Sequence, residues 1–459
     1  MTITRRDFLK TITAAGATVA ASRWASGAEN APLVSGSSTE TVNVAIIGAG
    51  AQGRILLEAA KNIPGIRFKA ACDVWDYSQQ YAGNFLLKHG HKVNVYEDYR
   101  EMLDKEKDLH AVIVASPDWM HAEHANACMQ AGKHVYCEKE MSNTLEKAKT
   151  MVETSRSTRK LLQIGHQRRS NPRYIHAFNT LIRDTNLLGR VTHANAQWNR
   201  SKSDDIGWPK KYAIPSEKLS KYGYSSMHEF RNWRWFKKFG GGPIVDLGSH
   251  QIDLFSWVFG SNPKSVIASG GVDFYTTHEW YDNVMCIFEY DTPKGVSRAF
   301  YQVLTTTSNG GFKETFMGEN GNIVISEVPP VGNTATQEAQ NKPTGNTEQD
   351  LKYGRSDWEL YVKQGLLGST RTAIRPVATK NTNVDARVSA QLEGYPLPID
   401  LAKPAHQPHL ENFFDAIRLG AKLNCPGEIG YETAVAVLAC NEAVRSNQKI
   451  EFKPSQFIV

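Results

Sequence analysis

An apolar, β-rich run, Val42–Ile47, leads directly into Gly48-Ala49-Gly50-Ala51-Gln52-Gly53, and helical residues follow over 54–62. Strand, G-x-G-x-x-G and helix in that order constrain the fold more than any other feature of the chain. Gly48 permits a tight turn, Gly50 lets the backbone approach a pyrophosphate, and Gly53 lets helix and strand pack closely. The free N–H groups of the helix start, from Ala51 and Gln52 onward, then face the anion. Asp73 ends the next strand, 20 residues after Gly53. A carboxylate there hydrogen-bonds both ribose hydroxyls and repels a 2′-phosphate. Residues 74–78 contain no Arg or Lys, so NAD is expected rather than NADP.

The following residues keep the rhythm of a doubly wound sheet. Strand-like segments at 68–72, 111–115, 134–137 and 161–164 alternate with helix-like segments at 78–89, 122–131 and 145–155. This predicts an α/β Rossmann domain with a parallel sheet over 41–170. The pattern then changes. Segments 191–198, 265–274, 283–290, 295–304 and 315–325 read as strands of an antiparallel sheet, with a helix at 243–259 and closing helices at 409–419 and 433–446. Residues 171–459 are therefore expected to form an α+β domain. Within it, 328–405 is rich in Pro, Asn, Thr and Gln and reads as an irregular excursion.

A chain of 459 residues with 41% hydrophobic and 22% charged residues is ordinary globular material. No apolar run approaches the ~20 residues of a membrane-spanning helix. The net charge is +6, but Arg5, Arg6, Lys10 and Arg23 against Asp7 put +3 of it in residues 1–28. The remainder is near neutral and gives no electrostatic case for nucleic-acid binding. Residues 1–28 themselves match a twin-arginine export signal: Thr4-Arg5-Arg6-Asp7-Phe8-Leu9-Lys10, a moderately apolar stretch, then small residues ending at Ala28. The expectation is a periplasmic protein carried by the twin-arginine translocon, with a flexible arm at 29–40 and no lipid anchor. The six cysteines show no C-x-x-C or zinc spacing and read as buried small hydrophobes, and no metal site is expected.

Three further segments carry a family resemblance: Ala115-Ser116-Pro117-Asp118-Trp119-Met120-His121, Gly132-Lys133-His134-Val135-Tyr136-Cys137-Glu138-Lys139, and Gly240-Gly241-Gly242-Pro243-Ile244-Val245-Asp246-Leu247-Gly248-Ser249-His250. With the glycine fingerprint and Gly165-His166-Gln167-Arg168-Arg169, the chain resembles the Gfo/Idh/MocA family of glucose–fructose oxidoreductases and inositol dehydrogenases over about residues 41–325 and again at 409–419. The resemblance implies a Rossmann domain joined to a large open-faced antiparallel sheet, NAD(P)-dependent chemistry on sugars or cyclitols, and in several members a nucleotide retained through the cycle. It implies a catalytic group of Lys139, Asp246 and His250, with His250 the acid/base and Lys139 a cationic donor to the reacting oxygen. Glu138 matches the residue at the nicotinamide-side ribose, and Ser116, Pro117 and His121 match the loop bordering the nicotinamide. The family's Glu-Lys-Pro reads Glu138-Lys139-Glu140 here, which removes a residue that fixes backbone direction after the lysine.

The residues support part of this unaided. Three glycines and Pro243 suit a loop feeding a helix start, and Asp246 and His250 then lie at i and i+4 on one face. The helix start lowers the imidazole pKa and the carboxylate raises it, which leaves a ring able to take a hydroxyl proton. Trp233 and Trp235, read as one face of a strand, either offer a sugar aromatic surfaces or pack the sheet. Arg168 and Tyr174 follow the last Rossmann strand, where the crevice opens, and are expected to meet substrate. The ligand is expected to be a neutral or weakly charged sugar. Three functions fit: a sugar or cyclitol dehydrogenase, an NAD-dependent glycosidase working by transient oxidation and elimination, and a non-catalytic sugar or nucleotide sensor. An open sheet face needs covering, so a homo-oligomer, dimer or tetramer, is expected.

Overall fold

The computed structural model describes residues 41–327, 334–337, 361–362, 364–368, 393–399 and 401–459. The expected export signal at 1–28, the expected arm at 29–40 and most of the expected excursion at 328–405 lie outside the described residues.

The first sheet has six parallel strands: β1 (Val42–Ile47), β2 (Ile66–Cys72), β3 (Asn94–Tyr96), β4 (Ala111–Val114), β5 (His134–Cys137) and β6 (Leu162–Ile164), in the order β3-β2-β1-β4-β5-β6. The order reverses between β1 and β4, which opens a crevice at their carboxyl ends. The central strands are apolar almost without interruption because helices cover both faces. On one face lie α1 (Ala51–Ala60) and α10 (Gln407–Leu419), through Leu56, Leu57, Phe413 and Phe414. On the other lie α4 (Asp118–Gln130), α5 (Leu145–Thr158) and α11 (Gly427–Ser446). Two closing helices of the chain thus pack on the first sheet. Helix α2 (Asp76–Lys88) follows β2, and α3 (Tyr99–Lys105) follows β3. Neither β3 nor α3 is foreseen from the sequence, because β3 is three residues long with two of them exposed.

The second sheet has nine strands, in the order β14-β13-β12-β11-β7-β10-β9-β8-β15. They are β7 (Val191–Asn199), β8 (Ser265–Gly271), β9 (Asn283–Thr292), β10 (Gly295–Leu304), β11 (Phe312–Gly318), β12 (Gly321–Ile325), β13 (Thr334–Gln337), β14 (Glu393–Pro396) and β15 (Ile450–Glu451). Two expectations are corrected. The sheet is mixed, since β7 and β10 run parallel. The single strand expected at 315–325 is a hairpin of β11 and β12, turning at Glu319-Asn320. Within the expected excursion, β13 and β14 extend the sheet edge. Between β7 and β8 lie α7 (Ser216–Lys221), α8 (Met227–Arg231), a 3₁₀ turn at Trp233–Trp235 and α9 (Gly242–Phe259), and α6 (Pro172–Ile175) precedes β7. One sheet face packs on α9 through Tyr301, Phe316 and Phe255. All six cysteines are buried thiols.

Candidate active site

The glycine fingerprint adopts the geometry its spacing demands. Gly48 has φ +93°, and a Cβ there would lie 2.6 Å from the Ala115 backbone, so strand ends β1 and β4 touch through it. A Cβ on Gly50 would meet nothing within 4 Å. Gly50 caps α1 without any side-chain hydrogen bond, so its open side and the helix N–H groups suit a pyrophosphate. Asp73 accepts the Ala49 N–H at 2.7 Å and the Trp75 N–H at 2.9 Å. Burial pushes its pKa up against those bonds. Arg54 and Arg231 also act on this carboxylate. Sequence reading missed both, because one lies on α1 and the other comes from α8, far along the chain.

A cleft of about 530 Å³ runs from this loop to Lys139 and Asp246, past Ala51, Gln52, Ser116, Pro117, His121 and Glu138. The Glu138 carboxylate lies against Gly165, where a Cβ would come within 2.9 Å of it, and burial raises its pKa. The chain closes over the adenosine end as well. Trp75 Nε1 donates to the Tyr212 carbonyl at 2.6 Å, Tyr222 donates to Glu97 at 2.6 Å, and Arg231 stacks on Trp75 at 4.9 Å.

At the far end, Lys139 Nζ donates to the Asp246 carboxylate at 3.1 Å and to the Asp246 carbonyl. Arg234 Nε lies 3.2 Å from the other carboxylate oxygen. The two cations hold the Asp246 pKa well below the carboxylate range against burial, which acts to raise it. Helix α9 does put Asp246 and His250 on one face, but the expected carboxylate support for the imidazole is absent because Lys139 and Arg234 take the carboxylate. His250 instead stacks on Trp198, 5.7 Å between rings, and meets His166 edge-on. Burial first, then Lys139, Arg168, His166 and His406, lowers its pKa well below the usual value, so the ring is neutral. Its Nδ1 is sealed without a partner among the described residues. His250 is 8% exposed and is not among the residues lining the cleft.

Other expectations need correction. Arg168 is 1% exposed and Tyr174 0%. Arg168 donates to Glu314 at 2.6 Å and faces Glu327 at 3.5 Å, while the Tyr174 hydroxyl donates to Glu314 at 2.7 Å. The two close an internal ion cluster and line no part of the cleft. Trp233 and Trp235 sit on a 3₁₀ turn, not a strand. Trp233 packs in an aromatic cluster with Trp75, Tyr224 and Phe239 and also lines the cleft, whereas Trp235 stacks on His278 at 3.7 Å, outside the cleft. His121, for its part, joins two loops: Nδ1 lies 2.6 Å from the Glu140 carbonyl and Nε2 2.7 Å from that of Ser116. Burial pushes its pKa down to about 4, so the neutral ring donates to one of the two. The Lys139–Glu140 peptide bond is cis. The Glu140 carboxyl is fully buried, accepts the Met141 N–H at 2.8 Å, has no partner for Oε2 among the described residues, and is pushed up to about 8 by that burial.

Asp118, which received no role in the sequence reading, lines the cleft, as does Arg234, one of the Arg and Asn donors between Phe230 and Lys238 that suit a sugar. Asp118 opens α4, and burial, then the Asp246 charge, pushes its pKa up to about 7. An acid directly after Pro117 at a strand-to-helix turn was the available signal.

Comparison with known proteins agrees with this layout. Residues 42–166 match the model of the Gfo/Idh/MocA oxidoreductase family, NAD-binding Rossmann fold, and residues 180–324 match the Gfo/Idh/MocA C-terminal domain. The chain is 33% identical over 171 residues to 4-carboxy-2-hydroxymuconate-6-semialdehyde dehydrogenase of Sphingobium sp., covering 37% of this chain and 53% of that protein. It is 30% identical over 225 residues to inositol 2-dehydrogenase 2 of Saccharopolyspora erythraea, covering 48% and 54%. The chain thus spans about half the length of these curated relatives. Among solved structures, the WlbA dehydrogenase of Bordetella pertussis in complex with NADH and UDP-GlcNAcA superposes with a TM-score of 0.62 at 16% identity, covering 90% of this chain and 98% of that one. At that identity the likeness is one of fold.

Proposed function

The chain belongs to the Gfo/Idh/MocA family of oxidoreductases, with the family's NAD-binding Rossmann domain followed by its C-terminal domain, and on that premise we propose that it is an NAD-dependent dehydrogenase of a sugar or cyclitol. The observation that carries the reading is the single cleft joining the open Gly50 turn and Asp73 to the Lys139–Asp246 pair. The bound nicotinamide supplies a hydride acceptor. This chain's residues handle the proton and the charge. Lys139 Nζ donates to the substrate oxygen, and Asp246 fixes that ammonium in place. His250 lies just behind the cleft lining, close enough to Lys139 for that charge to lower its pKa, and as the neutral ring it accepts the hydroxyl proton through Nε2, since Nδ1 is sealed. The contacts of Tyr212, Tyr222 and Arg231 over the adenosine end favour slow nucleotide release.

The proposal extends to context. The Arg5-Arg6 segment supports export by the twin-arginine route with NAD already bound. Ile267 (49% exposed), Met285 and Ile287, on the outer face of β8 and β9, support a homodimer that covers them. The test is direct. Full-length protein purified after cytoplasmic expression is denatured and assayed for released NAD, then a sugar and cyclitol panel is screened for NADH formation. Released NAD with NADH formed from a polyol supports the reading. No nucleotide and no reduction across the panel overturn it.

A further inference from the structure

The reacting end of the cleft carries more positive charge than its own chemistry uses. Asp246 is paired with both Lys139, at 3.1 Å, and Arg234, at 3.2 Å. Arg200 is near enough to lower the Asp246 pKa too. One carboxylate thus faces three cations. Asp118, the other acid at this end, is itself raised to about 7 and offsets little of the excess below neutral pH.

Arg234 is built to reach outward. Only its Nε is spent on Asp246. Among the described residues, no hydrogen bond engages its two terminal nitrogens, its side chain is 39% exposed, and it lines the cleft. The guanidinium lies over the Trp233 ring at 4.3 Å. That ring is itself fixed, since Gly240 packs so close that a Cβ there would lie 3.1 Å from it. Trp233 therefore serves as a floor for Arg234 rather than for a sugar. A stacked guanidinium with a free two-nitrogen edge matches a planar carboxylate, and it has already lost the rotamer freedom that binding would otherwise cost. Arg200 stacks on Trp198 at 5.3 Å, and Trp198 stacks on His250, so a second exposed guanidinium lies across the same centre.

We propose that Arg234, floored by Trp233 and assisted by Arg200, is an anion-recognition subsite, and that the sugar taken by this cleft carries a carboxylate, as a hexuronate does. This rests on the dehydrogenase reading for its chemistry and narrows the neutral or weakly charged sugar expected from the sequence. The geometry favours a carboxylate over a phosphate ester because the guanidinium is stacked flat on Trp233 and has a two-nitrogen edge that matches a planar group.

The test uses NAD-loaded full-length protein and three matched probe sets: hexuronates, the parent hexoses and their 6-phosphates. Calorimetry reads binding, and NADH formation reads turnover. The expected result is tighter binding and higher kcat/KM for at least one hexuronate over its hexose, by roughly 10- to 100-fold. That ratio should collapse toward one in Arg234→Gln and recover in part in Arg234→Lys. Hexuronate binding without turnover would keep the subsite and sink the dehydrogenase reading. Turnover of hexoses without preference, or an Arg234→Gln variant whose ratio is unchanged, would sink the subsite and keep the dehydrogenase. A preference for the 6-phosphates, or binding of none of the probes, also overturns the proposal.

Discussion

Two clusters of arginine and acid lie within reach of His250, and they behave as opposites. Arg168, Glu314, Glu327 and Tyr174 are sealed in the second domain. Lys139, Arg234 and Asp246 open onto the cleft. In sequence both look like site residues, since each adjoins a family motif. The difference is whether unpaired polar atoms open onto the cleft, since Arg168 Nη2 also has no partner among the described residues but is buried. Around Glu314, both carboxylate oxygens are taken by the chain. Around Asp246, Arg234 keeps its free edge and Lys139 faces the cleft. The sealed cluster still bears on the site: Arg168 lies over Trp198 at 5.5 Å and lowers the His250 pKa from behind. It acts as a positioning residue.

The sharpest way to break the contrast is to remove one member of each cluster. Arg168→Met should cost about 3–5 kcal/mol of stability, because Glu314 is left buried without its cation and keeps only neutral donors such as the Tyr174 hydroxyl. Equilibrium denaturation measures it. A variant with unchanged stability that raises KM would return Arg168 to the substrate site.

Next in size are Lys139→Ala and His250→Ala. Each should lower kcat about 100-fold or more, equivalent to about 2.7 kcal/mol of barrier, measured in the fraction that remains folded because both side chains are largely buried. Steady-state kinetics on the substrate found in the panel checks this. Asp246→Asn should be milder, since it keeps a hydrogen-bond acceptor for Lys139 and loses only the charge.

A smaller effect distinguishes the sealed carboxyl of Glu140. Its folded-state pKa of about 8 lies above the ordinary 4.5. The folded state therefore binds the proton more tightly. The stability this contributes is complete below about pH 4.5 and is lost as pH rises toward 8. Glu140→Gln should flatten the fall between pH 5 and 8 by about 1 kcal/mol or more in pH-dependent denaturation. An unchanged slope would mean that the carboxyl is already ionised. Smallest of all, Asp73→Ala should shift the NAD-to-NADP affinity ratio about tenfold toward NADP. Competition binding reads that ratio.

What could be read from the sequence follows how local the determinant is. β1, β5 and β10 match the segments expected at 42–47, 134–137 and 295–304 residue for residue, because their apolar runs are bounded by clear turn residues. The glycine loop and the i, i+4 pair on α9 are likewise local. The hairpin at Glu319-Asn320 was merged into one strand although Gly318 and Gly321 flank its turn. The parallel pairing of β7 with β10, the sealing of Arg168 by a glutamate 146 residues away, and the capture of Asp246 by Lys139 and Arg234 depend on contacts that no spacing encodes. Trp233 was misplaced for the same reason. Its partners Trp75 and Tyr224 come from β2's end and from the segment after α7.

The central claim is that the open end of the molecule, beginning at Gly50, is a nucleotide site. Its most direct test is the NAD-induced shift in melting temperature of protein stripped of nucleotide, in wild type and in Gly50→Thr. The Gly50 backbone is extended, its Cβ direction is empty, and Thr equals Gly as a helix N-cap. The variant should therefore fold as stably as wild type without ligand. At NAD a hundredfold above Kd, wild type should gain about 2.7 kcal/mol, and Gly50→Thr, with the pyrophosphate approach filled, should gain almost nothing. Equal stabilisation of both proteins, or of neither, would contradict the assignment.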